Sequence, residues 1–455
     1  MVTHVVARHR DIAAATLGAL LILVAAERTP AAQDAQLAAP AALGATAAPA
    51  TQVSKPPAPE ASKPQTTRRS APVGFFTEPA IITRNIDYFN QRWGEASGRP
   101  RNGFYPEFSN MITGAGWVSA GPGYRHSFAD NRIMLDTSAA LSWHLYKMGQ
   151  ARFELPTLAN DHLIVGAQAM WQDATQVNYY GIGPDSLEEN QSQYRLQSTD
   201  FVGYVTATPN YWLSITGELG WLMRPNVESA GGSFAPNVPT TVQLFPNDPA
   251  VSLSTQPNFA HGEAAIAADT RDHRGYPTSG GLYRAASTFY SDQSSGTFSF
   301  REYEAEALQL FPLADKRVVL AFRGWALHGQ VPTGHQIPFY LMPAIGGSNT
   351  LRDYPDYRFH DNNILVVNAE SRFAVYQHVD AALFVDAGNV AATFSELNLD
   401  KTNYGAGLRL HTDSTTIARV DVAYGSNGWK LFFRTNDPLR LGRLRRHIAI
   451  IPFAP

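Results

Sequence analysis

From about residue 103 onward the chain alternates with a period of two. In "VDAALFVDAGNV", Ala381, Leu383, Val385 and Ala387 share one face, while Asp380, Phe384 and Asp386 share the other. "LVVNAESRF" splits the same way, with Leu365, Val367, Ala369 and Phe373 against Asn368, Glu370 and Arg372. Glu302, Glu304 and Glu306 fall on one face of their segment, Arg419 and Asp421 on one face of theirs, and Lys430 and Arg434 on one face of a third. Each charged face lies opposite small, apolar or aromatic residues. A soluble β-sandwich would bury the apolar face and leave the charges in water, whereas a transmembrane barrel would do the reverse. Two features favour an all-β transmembrane antiparallel barrel. The alternating segments run for roughly 10 to 14 residues, and short turns alternate with long loops, as periplasmic turns and outer loops do in such barrels.

Direction follows from the connections. Taking "PLADK" (312–316), "YQHV" (376–379) and "HTDSTT" (411–416) as periplasmic turns fixes the rest. "DTRDHRGYPTSGG" (269–281), "TPNY" (208–211), "LPTLAND" (155–161) and "FADN" (128–131) then fall on the same side, and loops 174–192, 224–257 and 330–362 on the other. The Asp, Pro and Gly residues of "DTRDHRGYPTSGG" read as ordinary turn chemistry. The total is sixteen strands if "MITGAGWVSA" and "GYRHSF" form a short first hairpin turning at Gly121-Pro122-Gly123. An even number returns both chain ends to the periplasm. "WKLFFRT" then reads as the last strand of a barrel over 103–436, and residues 437–455 as a C-terminal periplasmic extension.

Ahead of the alternation the pattern changes twice. Arg8-His9-Arg10, an apolar run from Ile12 to Val24 and the small residues at Ala25-Ala26 predict an export signal over 1–26. The run is shorter than the roughly 18 to 20 apolar residues of a spanning helix. Residues 27–76 are rich in Ala and Pro and read as a disordered linker. Within 77–102, Ile82, Ile86, Phe89 and Trp93 at helical spacing predict one short amphipathic helix, with Thr77 as N-cap and Gly94 as stop. An exported chain without helical spans is either soluble or a barrel, because only helices and closed barrels satisfy their backbone in lipid. The chain has no cysteine, which excludes a disulfide framework and a thiolate metal site. Its 36 basic and 39 acidic residues include no long basic run before Arg440 to Arg446, which speaks against nucleic acid as a partner.

One connection carries more than turn chemistry. About thirty residues separate the strand through Val318 to Arg323 from the strand through Leu365 to Glu370, where hairpin loops usually have about two to five. This loop contains "IGGSNTLRDYPDYRF" (345–359), with Arg352 among aromatic and acidic neighbours. A loop so long without helical period either lies loose at a surface or folds back into something that needs it.

Five stretches in order, "DTRDHRGYPTSGGLYRAASTF", "IGGSNTLRDY", "NAESRF", "ALFVDAGNV" and "GAGLRLHTDSTTIARVDVAYG", resemble the BamA/TamA (bacterial surface antigen) family of outer-membrane barrels. The resemblance covers roughly residues 103–436. It implies a sixteen-stranded barrel whose sixth outer loop folds into the lumen. There an Arg-Gly-aromatic tip pairs its arginine with acidic side chains on the inner wall of strands twelve and thirteen. On this sequence the arginine is Arg352, the aromatic residue Tyr354, and the acids Glu370 and Asp386, which parity already turns toward the lumen. A guanidinium fork binds carboxylates bidentately and would latch the loop in one pose. Ordinary solvated charges in a wet lumen are the alternative. Two departures stand out. Asp353 replaces the family glycine, so that the tip takes another turn or Asp353 competes for the guanidinium. Residues 27–100 also show no trace of the periplasmic POTRA repeats that precede the barrel in assembly members.

No G-x-S-x-G, P-loop, G-x-G-x-x-G or H-E-x-x-H pattern occurs. His162, His261, His328 and His411 fall at or near strand ends, where imidazoles are commonly solvated, and no pair has metal-ligand spacing. The chain thus reads as a non-enzyme with no cofactor and no metal. The function implied by the resemblance is insertion or translocation of outer-membrane or secreted proteins through a seam between strands one and sixteen. Gly114, Gly116, Gly121 and Gly123 would weaken that seam. The expected partners are outer-membrane lipids, such unfolded client proteins, and a separate periplasmic protein supplying the missing repeats. The alternative is a gated pore or structural barrel that has lost the assembly role.

Overall fold

The computed structural model describes residues 74–93, 102–108, 118–230, 237–248, 251, 256–413, 415–435 and 437–439. The expected export signal and most of the Ala/Pro-rich linker lie outside these residues, as do 94–101 and the basic cluster from Arg440 to Arg446. Sixteen strands form one antiparallel sheet in which each pairs with the next. They are β1 (Gly103–Phe108), β2 (Ser119–Phe128), β3 (Ile133–Ser142), β4 (Lys147–Leu158), β5 (Leu163–Tyr179), β6 (Ser192–Asn210), β7 (Leu213–Ser229) and β8 (Phe259–Asp269). β9 (Gly280–Asp292), β10 (Phe300–Leu313), β11 (Val318–Gln330), β12 (Asn363–Tyr376), β13 (Val379–Ala391), β14 (Lys401–His411), β15 (Thr416–Gly425) and β16 (Gly428–Arg434) follow. A two-residue ladder, Ala344–Ile345 with Phe359–His360, forms separately within the loop between β11 and β12.

The period-two pattern produces an inverted distribution of polarity. In β13, Leu383 (56% exposed) and Val385 (53%) face out, while Phe384 (3%) and Asp386 (0%) face in. Leu219, Tyr404, Leu408 and Trp429 are likewise exposed, and Arg125, Asp136, Glu306, Arg323 and Arg409 are buried. An apolar exterior over a charged interior is stable where the surroundings are hydrocarbon and the interior groups have partners. That distribution rules out the soluble sandwich. Connections between strands distant in order also meet across the interior. Arg358, after β11, donates to the Ser186 carbonyl between β5 and β6 (2.6 Å), and Gly275, between β8 and β9, bridges to Thr415, between β14 and β15. Such contacts require the sheet to curl round a lumen, and the fold is an antiparallel β-barrel. Among the described residues, β1 pairs only with β2 and β16 only with β15.

Three short hairpins, at Ala129-Asp130-Asn131, Ala159-Asn160-Asp161 and Ala314-Asp315-Lys316, each place three consecutive residues in the left-handed region, with φ between 49° and 67°. Asp and Asn tolerate this region by local hydrogen bonding. At the other end β5, β6 and β7 reach 17, 19 and 17 residues, beyond the roughly 9 to 11 that cross a membrane. Their outer ends support an apolar cluster containing Tyr179, Tyr194, Val227, Phe339 and Tyr340.

Several expectations are corrected. The first hairpin does not turn at Gly121-Pro122-Gly123. β2 runs straight through these residues, pairing Gly121 with Glu107 and Pro122 with Pro106, and β1 lies earlier, at Gly103–Phe108. Neither glycine has positive φ. Gly121 instead permits close approach, since a Cβ there would meet the Ala139 carbonyl oxygen at 1.8 Å. "DTRDHRGYPTSGG" is more than a local turn: it crosses to the β14–β15 connection, where the Thr416 N–H donates to the Gly275 carbonyl (3.2 Å) and Tyr276 stacks on His411 at 3.6 Å. His411 is accordingly buried; His261 is buried too, its Nε2 2.8 Å from Asp200 Oδ1. The helix, α1 (Ala80–Trp93), buries Ile86 and half-buries Ile82 and Phe89. Its first N–H bonds go to the Pro79 carbonyl, which leaves Thr77 outside the cap. Before it, the Phe75 and Phe76 N–H groups donate to the carbonyls of Ala374 (2.8 Å) and Val375 (3.0 Å) in β12.

Candidate functional site: an arginine cluster in the lumen

The long loop after β11 folds inward, and its tip closes on itself first. Gly346 (φ 117°) and Gly347 (φ 86°) adopt conformations that favour glycine, and a Cβ on Gly346 would meet the Pro355 carbonyl oxygen at 2.3 Å. The Gly346 N–H donates to Thr350 Oγ1 (2.9 Å) and the Gly347 N–H to the Tyr354 carbonyl (3.0 Å). The tip is therefore a turn held by its own hydrogen bonds as well as by the wall.

Arg352 is buried at its end. Nε and Nη2 donate to the two oxygens of Asp386, each at 2.8 Å, and Nη1 donates to Glu370 Oε2 at 2.7 Å. The guanidinium carbon also stands 3.4 Å from the centroid of the Phe384 ring, within cation–π range. β12 supplies Glu370 and β13 supplies Phe384 and Asp386. The register pairs Glu370 with Phe384 and Asn368 with Asp386, so both carboxylates reach the same guanidinium.

The wall grips the tip backbone as well. Arg419 Nη2 donates to the Ser348 carbonyl (2.8 Å), Arg323 Nη1 to that of Asn349 (2.9 Å) and Asn368 Nδ2 to that of Thr350 (2.8 Å). Three consecutive carbonyls, which would cost free energy if buried without partners, are thus satisfied. Around them the charges alternate. Glu370 also accepts from Arg372 Nε (2.9 Å) and Arg409 Nη2 (3.0 Å), and Asp421 accepts from Arg409 Nη1 (2.5 Å) and from Arg419 Nη1.

The four residues singled out from sequence thus divide. Arg352, Glu370 and Asp386 meet directly. Tyr354 does not join the ions; it packs with Leu351, Phe359, Trp325, Ile364 and Val390, and its hydroxyl meets Ser426 Oγ in the β15–β16 turn. Asp353 neither competes for Arg352 nor needs the freedom of glycine, since its φ is not positive. It turns to the same β15–β16 connection, where the Asn427 N–H donates to Oδ2 (3.4 Å) and a Cβ on Gly425 would lie 2.2 Å from that oxygen. Burial raises this loop carboxyl to about 6, against the hydrogen bond from the Asn427 N–H. Arg323, which bonds the tip, and Arg409, which bridges Glu370 and Asp421, were not visible in sequence. Parity placed Asn368, Arg372, Arg419 and Asp421 on the lumen face, and nothing in the linear pattern gave their partners.

The model of the Omp85 superfamily domain matches residues 139–437. BamA from Haemophilus ducreyi lacking POTRA domains 1–3 is similar in structure, with a TM-score of 0.55 and 14% identity over 73% of this chain and 70% of that one. CdiB from Acinetobacter baumannii gives a TM-score of 0.46 and 14% identity over 73% of this chain and 58% of that one. No curated protein matches by sequence. A family match across most of the barrel, joined to a sixteen-stranded sheet with an apolar exterior and a charged lumen, places this chain in the Omp85 superfamily as an outer-membrane β-barrel.

Proposed function

We propose that the protein inserts or translocates unfolded outer-membrane or secreted proteins by opening the barrel between β1 and β16. The observation that carries this reading is the limited pairing of the two edge strands among the described residues: there β1 pairs with β2 over six positions and β16 with β15 over seven, whereas β12 and β13 share a ladder of 13 pairs. Short edges hold less cross-strand interaction, so they part and re-form at lower cost and can accept an added strand. The Arg352 cluster then acts as a structural latch and not as a catalytic centre: it fixes the loop in the lumen, and Tyr354 and Asp353 carry the loop to the β15–β16 turn beside the seam. Outer-membrane lipids and a separate periplasmic protein are the further partners of this reading. The test uses liposomes containing the protein and an unrelated unfolded outer-membrane barrel added from outside. The chain has no cysteine, so cysteine pairs placed along β1 and β16 report only the seam. Acceleration of client folding is expected to disappear on oxidation and return on reduction. Full acceleration by the oxidised, cross-linked barrel would refute the seam mechanism.

A second reading, a gated pore, draws on the apolar cluster over the outer end and the loop within the lumen. It predicts single-channel openings whose frequency rises when the loop is loosened, without acceleration of client folding.

A further inference from the structure

Residues 437–439, the described residues that follow β16 and Thr435, do not leave the barrel at its rim. Asp437 and Leu439 are 5% and 3% exposed. Leu439 packs with Leu308, Leu310, Val319 and Ala321, inward-facing residues near the periplasmic ends of β10 and β11. In the order of the sheet β11 stands five strands from β16, so the segment reaches that wall across the lumen and not along it. The expected periplasmic extension over 437–455 is thus seated inside the barrel at residues 437–439, and its remainder, 440–455, lies outside the described residues.

The contacts form a fitted seat. Arg372 Nη2 donates to Asp437 Oδ2 (2.9 Å), and the Leu439 N–H donates to Asp437 Oδ1 (2.8 Å), which folds the segment into a tight turn. Asn349, from the loop tip, donates through Nδ2 to the carbonyls of Asp437 (3.3 Å) and Pro438 (3.1 Å). Arg372 divides its remaining donors between Glu370 (Nε, 2.9 Å) and the Pro277 carbonyl (Nη1, 3.3 Å), and its guanidinium carbon lies 5.4 Å from the Tyr276 ring centroid. Pro277 and Tyr276 belong to the β8–β9 connection, which itself crosses to Thr415 and His411. One arginine therefore joins the Arg352 cluster, this crossing strap and the C-terminal segment.

From this we infer that Asp437-Pro438-Leu439 is a plug carried by the chain itself. Together with the strap it closes the periplasmic mouth, and it must leave its seat before a solute or polypeptide passes. The carboxylate of Asp437 and the side chain of Leu439 are its recognition elements. The seat also defines what would displace it: a peptide turn with a carboxylate followed two residues later by a branched apolar side chain. This inference concerns closure and stands whether the barrel serves as an insertase or as a pore.

The test is made on the full-length chain refolded in detergent and in planar bilayers, with shifted mobility of the unheated protein on gels confirming a folded barrel. A single Leu439→Cys in this cysteine-free protein should react with a membrane-impermeant maleimide at least tenfold more slowly than a single Asp413→Cys, whose native side chain is 83% exposed. Adding Asp437→Asn should remove most of that protection. In bilayers, Asp437→Asn with Leu439→Ser, which leaves the wall and Arg372 intact, should at least double the mean open conductance. Equal labelling rates at the two positions would overturn the seat. Slow labelling with unchanged conductance in the double variant would overturn the plug, because a segment that is buried without obstructing the mouth closes nothing.

Discussion

Replacing Arg352 by alanine removes three side-chain bonds to ionised groups and the stacking on Phe384. The two carboxylates are affected differently. Glu370 keeps Arg372 and Arg409 and remains compensated. Asp386 keeps only the Asn368 amide (2.8 Å) and the residue 352 backbone N–H (3.3 Å), in a site with no exposure to water. Breaking one partner from a buried pair costs about 3 to 5 kcal/mol, and the surviving partners place this case near the lower end. About 3 kcal/mol lowers the docked-to-undocked ratio of the loop roughly a hundredfold. The bonds from Arg323, Arg419 and Asn368 to the tip carbonyls survive, so the barrel folds and the loop opens more often. Hydrogen exchange over residues 346–358, followed by mass spectrometry, should speed up accordingly, and bilayer currents should become larger and noisier. Arg352→Lys keeps the charge and loses the fork, so it should fall between the two. Arg352→Ala with Asp386→Asn should be less damaging than Arg352→Ala alone, because the second change removes the uncompensated charge. Unchanged exchange in Arg352→Ala, or a double variant worse than the single one, would refute the assignment of the cost to Asp386.

Two further predictions concern pH. Asp353 has a docked value of about 6, above the ordinary carboxylate value of 3.8, so docking favours its protonated form. Protection of the loop should be greatest below pH 3.8 and decline as pH rises through about 6, and Asp353→Asn should remove that step; identical pH profiles for the two proteins would exclude Asp353 as its source. Glu78 shows the opposite sign. Burial pushes its carboxyl up, but hydrogen bonds from His378 and Thr83 outweigh this and hold it below 4.5. Its contribution to anchoring the segment before α1 is therefore present above pH 4.5 and lost as pH falls through the lowered value. Glu78→Gln should weaken that anchor by about 1 to 2 kcal/mol at neutral pH, seen as faster trypsin cleavage at Arg84, and equal cleavage rates would count against it.

Much of this barrel could be read along the chain, because a strand's alternation is a local property. Leu383 against Asp386, or Val367 against Glu370, needs only the pleat to separate their faces. Parity turned Glu370 and Asp386 inward, and their pairing with Arg352 was what the family resemblance implied. Which face met lipid did not follow from any single strand, since a sandwich alternates too. Only the curled sheet, with Leu383 exposed and Asp386 buried, decided it. Turn chemistry was misread where glycine served another purpose: Gly121 and Gly123 look like a hairpin and instead let neighbouring chains approach within an extended β2. The crossing of the strap at 269–281, the bonds of Arg419 and Arg323 to the Ser348 and Asn349 carbonyls, and the seat of Leu439 on β10 and β11 were not legible at all. Each joins residues tens to more than a hundred positions apart, and such pairings are set by closure of the sheet around a lumen. The sequence by itself determined the strands, their faces and the chemistry available on each; the tertiary structure alone decided which buried charges meet, because a desolvated charge is stable only beside the partner that curvature brings to it.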